Sequence, residues 1–77
     1  MEKKGKNIHL KNKIDAILNF YRSEKYDEVI ARIKPLLKKF PKVIFFYNIL
    51  SLAYNAKEEY DKGIEILNRA LKIEPKN

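Results

Sequence analysis

Residues 44–77 read IFFYNILSLAYNAKEEYDKGIEILNRALKIEPKN, and residues 10–43 read LKNKIDAILNFYRSEKYDEVIARIKPLLKKFPKV. Laid one on the other at an offset of 34, they share Leu18/Leu52, Glu24/Glu58, Tyr26/Tyr60, Asp27/Asp61 and Ile30/Ile64. They also share Leu37/Leu71, Lys38/Lys72, Pro41/Pro75 and Lys42/Lys76. Phe20/Tyr54 and Ile33/Leu67 are conservative pairs at the same offset. Identities that hold to a single offset mark an internal repeat.

Each unit reads as two helices. Tyr47, Leu50, Ser51 and Tyr54 fall at i, i+3, i+4 and i+7, which is one helix face. The polar break Lys57-Glu58-Glu59 follows. Tyr60, Gly63, Ile64, Leu67, Ala70 and Leu71 then repeat the spacing, with Lys72 in the last turn and Pro75 as the stop. The first unit carries the pattern through Lys13, Ala16, Ile17 and Phe20, then Tyr26, Val29, Ile30, Ile33, Leu36 and Leu37, ending at Pro41. The spacing predicts four helices over roughly 10–22, 26–40, 43–56 and 59–73. Pro35 lies inside the second of these and removes one backbone hydrogen bond, to the carbonyl of Ala31; it predicts a kink or a hinge. Gly63 and Ala70 are small residues on an inward face. They predict close approach of the large Tyr47 and Tyr54 from the facing helix.

A 34-residue helix–turn–helix period resembles the tetratricopeptide repeat (TPR). Tyr47 stands at the first large aromatic position, Leu50 and Tyr54 match directly, and Ser51 takes a small-residue place. Tyr60, Leu67, Ala70, Leu71 and Pro75 fit the second helix, with Gly63 for the usual Ala. The first unit departs at Lys13, Val29 and Leu36. The resemblance covers residues 10–77 and implies an all-α fold: two helix–turn–helix units making a short right-handed α-solenoid of four helices. It also implies a concave groove lined by the first helix of each unit. Here that groove would present Lys11, Ile14, Asp15, Leu18, Tyr21 and Arg22, then Phe45, Asn48, Ile49, Leu52 and Asn55. Some members of the family clamp a carboxylate with polar groove residues. Ile14 and Leu18 stand where such a clamp needs polar groups, so an amphipathic helix or extended apolar segment is the better fit.

Composition narrows the function classes. The 77 residues include no cysteine, which leaves no disulfide framework or thiolate site and suits a reducing, cytoplasmic setting. No apolar run approaches the roughly 20 residues of a membrane span. The net charge of +7 is unevenly placed: residues 10–43 carry nine basic and four acidic groups, residues 44–77 five of each. Only three arginines are present and they are scattered, so nucleic-acid binding is not the expected use of this charge. The lone histidine, His9, has no nucleophile or ligand set beside it in sequence, and no glycine-rich loop is present. No catalytic, cofactor or metal site is expected.

The expected organisation is a basic, flexible leader over 1–9, then unit one over 10–43 and unit two over 44–77 in a single domain. The expected function is a protein–protein interaction scaffold that binds a protein or peptide partner in its groove and self-associates as a homodimer. Two units are fewer than the three a solenoid usually needs, which motivates the self-association. Two alternatives are a regulatory or targeting segment of a larger enzyme such as a transferase, and a weak binder of nucleic acid or anionic surfaces through the basic half.

Overall fold

A computed structural model describes the backbone of residues 2–73 and the side chains of residues 9–73. It is all-α. Helices α1 (Glu2–Arg22), α2 (Tyr26–Lys39), α3 (Ile44–Ala56) and α4 (Tyr60–Ile73) pack in chain order, each against the one before it. The three later helices begin and end within a residue of their predicted bounds. The first does not: α1 begins at Glu2, so residues 2–9, expected as a separate leader, continue its backbone helix. Nothing in 2–9 breaks a helix except a single glycine, which costs about 1 kcal/mol against alanine. Pro75 and the last residues of unit two lie outside the described range.

The two hairpin turns are copies of each other. At the end of α1 the Lys25 amide donates to the Phe20 carbonyl at 2.9 Å and the Glu24 amide to the Tyr21 carbonyl at 3.0 Å. At the end of α3 the Glu59 amide donates to the Tyr54 carbonyl at 2.9 Å and the Glu58 amide to the Asn55 carbonyl at 2.9 Å. This pair of bonds is the Schellman closure of a helix, which takes its turn residue into the left-handed region. Glu24 and Glu58 hold that place, with φ of 61° and 64°.

The core gathers on α3. Seven of its thirteen residues are buried, among them Phe46, Tyr47, Leu50 and Tyr54, because α2 covers one side and α4 another. Phe46, Ile49, Leu50 and Ala53 are spaced i, i+3, i+4 and i+7. They form one buried face of α3, with the Phe46 ring 6.3 Å from that of Phe40 at the end of α2. Gly63 and Ala70 are buried on α4, as expected for a close helix pair. The approach at Gly63 is made by Ser51 and Asn55 rather than by the tyrosines: a Cβ there would lie 2.4 Å from Asn55 Oδ1 and 3.4 Å from the Ser51 carbonyl. Helix α2 runs unbroken through Pro35, which is exposed, as is Ala31 one turn earlier, so water can take up the carbonyl the proline leaves.

Candidate functional site: the outer face of α3 and the cleft behind it

The α1 side of the expected groove divides into polar and apolar parts. Ile14, Leu18 and Tyr21 are half-buried against the core, and Tyr21 meets Tyr26 edge-on at 5.4 Å. Lys11 is exposed and its Nζ donates to Asp15 Oδ2 at 3.0 Å one turn on. Arg22 is exposed and donates from Nη1 to Asn19 Oδ1 at 2.7 Å. Both cations are thus held along α1 rather than aimed at a common point.

On α3, Phe45 and Leu52 stand 43% and 46% exposed, a large fraction for apolar side chains of their size. Asn48 is exposed and Asn55 half-buried between them and Gly63. Ile49, expected beside them, is 7% exposed and belongs to the buried cluster. It sits one turn from Phe46 and Ala53 on the inward face, so the groove face of α3 is narrower than the sequence suggested. Contact between α1 and α3 is slight compared with the packing of each on α2. The apolar part of the groove therefore centres on Phe45 and Leu52.

A second concavity lies behind α3. A cleft of about 510 Å³ opens between α2 and α4, with Tyr47, Leu50 and Tyr54 of α3 as its floor. Lys34 and Lys38 border it from α2, Lys62 and Arg69 from α4, with Glu65 as its one carboxylate. The cations lean on the floor: Lys34 and Lys62 Nζ lie 6.0 and 5.8 Å from the Tyr54 ring, and Arg69 Cζ 5.6 Å from the Tyr47 ring. The Tyr47 hydroxyl donates to the Pro41 carbonyl at 2.6 Å and ties the α2–α3 connection to the same floor. Tyr47, Leu50 and Tyr54 are buried in the core and also floor this cleft, which the spacing of the sequence does not show. The signal was present in the i, i+4 pair Lys34/Lys38 and the i, i+7 pair Lys62/Arg69, but joining them needs the distance between α2 and α4.

The turns are stitched by charge. Lys57 pairs with Asp27 of the first unit and, at 3.2 Å, with Glu59; Lys62 reaches Glu59 at 3.0 Å. Hydrogen bonds from Lys62 and then Lys57 hold the Glu59 carboxyl below its ordinary value. Bonds to Asp27 and Glu59 push the Lys57 ammonium up, and the bond to Glu59 does the same for Lys62.

Among the described residues no cluster of His, Asp or Glu is arranged to hold a metal ion, and His9 is exposed on α1. No helix among them is long and apolar enough to cross a membrane. No family model matches the chain, and no curated protein or solved structure matches it.

Proposed function

We propose that the chain is a protein-interaction module of tetratricopeptide type, which holds an amphipathic helix or apolar segment of a protein partner against the outer face of α3 and which self-associates as a homodimer. The observation that carries this reading is the exposure of Phe45 and Leu52, flanked by Asn48 and Asn55, on a small and strongly charged molecule. Large apolar side chains left exposed beside polar ones on one helix face are what an interface offers before it is covered. The half-buried Ile14, Leu18 and Tyr21 extend the apolar character on α1, while Lys11 and Arg22 give it a basic edge. Catalysis has no part in this reading, and the cysteine-free composition suits a cytoplasmic site of action.

The test is selection from a displayed library of helical peptides. Wild-type protein should enrich peptides with apolar residues at helical spacing, and Phe45→Glu with Leu52→Glu should abolish their binding while helicity is unchanged. Enriched peptides that bind the double variant equally well would remove the groove from consideration. Ile49 is not a fit probe, since a charge there enters the core.

A second reading has the rear cleft in its favour. Lys34, Lys38, Lys62 and Arg69 against one Glu65 make it a basic concavity, suited to a polyanion such as nucleic acid. Binding of a labelled oligonucleotide should then fall steeply with salt and be lost in Lys34→Glu with Arg69→Glu.

A further inference from the structure

We propose that the exposed face of α4 formed by Tyr60, Ile64, Leu67 and Leu71 is where two copies of this chain pair, with their α4 helices antiparallel about a two-fold axis. The assignment rests on the self-association included in the reading above and names its surface.

The repeat itself identifies the face as one meant to be covered. Tyr60, Ile64, Leu67 and Leu71 follow at i, i+4, i+7 and i+11, and they are 57, 56, 40 and 53% exposed. Their counterparts 34 residues earlier are Tyr26, Ile30, Ile33 and Leu37. There Ile33 and Leu37 are buried, and Tyr26 and Ile30 are packed on the core. The difference is α3, which lies against α2; among the described residues no helix packs against the outer side of α4. Charge repeats the pattern. Asp27 is paired by Lys57, which follows α3, whereas its counterpart Asp61 has no ion-pair partner among the described residues.

The covering surface cannot be the opposite end of another copy. The buried face of α3 that covers unit one is Phe46, Ile49, Leu50 and Ala53. The same positions on α1 are Asn12, Asp15, Ala16 and Asn19, of which the three polar ones are exposed. Head-to-tail stacking would press Asn12, the Lys11–Asp15 ion pair and the Arg22–Asn19 hydrogen bond against leucine and isoleucine and take them out of water. The surface that does match is a second α4. Antiparallel pairing about a point between Glu65 and Ile66 sets Tyr60 against Leu71 of the second copy and Ile64 against Leu67. The same step brings Asp61, at one end of α4, beside Lys72 of the second copy, twice by symmetry. Opposed helix dipoles favour the same arrangement.

Light scattering on the full chain, with helicity followed on the same samples, tests this. The expected mass is twice 9.2 kDa. Ile64→Glu with Leu67→Glu should raise the dissociation constant by about a hundredfold or more, as loss of central interface anchors does, with helicity retained. Asp61→Lys should weaken the dimer by a few-fold, and adding Lys72→Asp should restore it. Because the chain has no cysteine, a mixture of Ile64→Cys and Leu67→Cys chains should oxidise mainly to the mixed disulfide. A wild-type monomer at all concentrations would overturn both the self-association and this surface. A dimer that survives Ile64→Glu with Leu67→Glu would overturn the surface alone. Equal self- and cross-linking of the cysteine variants would overturn the antiparallel pairing.

Discussion

Glu24 and Glu58, 34 residues apart, hold the same left-handed backbone conformation, at φ of 61° and 64°, in turns closed by equivalent hydrogen bonds. A residue with a Cβ gives up about 1–2 kcal/mol to stand there. Neither side chain makes an ion pair among the described residues, and both are exposed. Glu24→Gly and Glu58→Gly should therefore each raise stability. The glycine adds freedom to the unfolded chain, so the net gain is about 0.5–1 kcal/mol. Urea unfolding of the two single variants and the double measures it. The gains should add, because Glu24 and Glu58 themselves share no ion-pair partner among the described residues, although Lys57 and Asp27 join the two turns.

Tyr47 is the next lever. Its hydroxyl holds the Pro41 carbonyl at 2.6 Å, while its ring is buried on the floor of the rear cleft. Tyr47→Phe keeps the ring and removes the bond, which should cost about 0.5–1.5 kcal/mol. Thermal unfolding by circular dichroism reads this directly.

The α3–α4 contact should respond in opposite senses at its two small residues. At Gly63 the nearest obstacle to a Cβ is the amide end of Asn55, which is half-exposed and can turn away. Gly63→Ala should then be neutral or stabilising by up to about 1 kcal/mol, the helix propensity difference. Ala70 is 6% exposed, and Ala70→Leu should cost about 1–3 kcal/mol by overpacking. Denaturant midpoints of the two variants on either side of wild type are the expected result.

The turn charges predict a pH profile. Glu59 has its carboxyl lowered in the folded state, chiefly by Lys62 and then by Lys57. The folded state binds fewer protons there, so this contribution is present above the ordinary carboxylate value and is lost as pH falls through the lowered one. Lys57 and Lys62 are raised. Their contribution is present below the ordinary lysine value and is lost as pH rises through the raised ones. Melting temperature should be flat across neutral pH and fall at both extremes. Glu59→Gln should flatten both limbs, and added salt should reduce the effect, since the groups are solvent-facing.

The helices were legible because their evidence is local: apolar residues at helical spacing, with acids in the first turns of α2 and α4 and lysines in their last. Pro35 did not mislead, because its place on the solvent side makes a mid-helix proline tolerable. The groove was legible in part. Phe45 and Leu52 are exposed as the register required, while Ile49 is drawn inward by its phase with Phe46 and Ala53. That phase is visible in the sequence, but in a helix apolar nearly all round only Asn48 and Asn55 mark the outward sector, too few to fix how wide it is. The rear cleft was not legible, since it exists only where α2 and α4 stand apart over α3. The left-handed glutamates were equally hidden, because glutamate is not a residue that announces such a turn.

The central position of α3 also orders the way the molecule comes apart. α3 is held by neighbours on two sides, whereas α1 and α4 each have one principal neighbour. In a linear array of this kind, opening starts at the ends and works inward. Amide hydrogens of Leu50 and Ala53 should exchange with deuterium only through global unfolding. Those of α1 should exchange first through fraying. The outer turns of α4 should exchange at a rate that slows with protein concentration, in proportion to the time its exposed face spends covered.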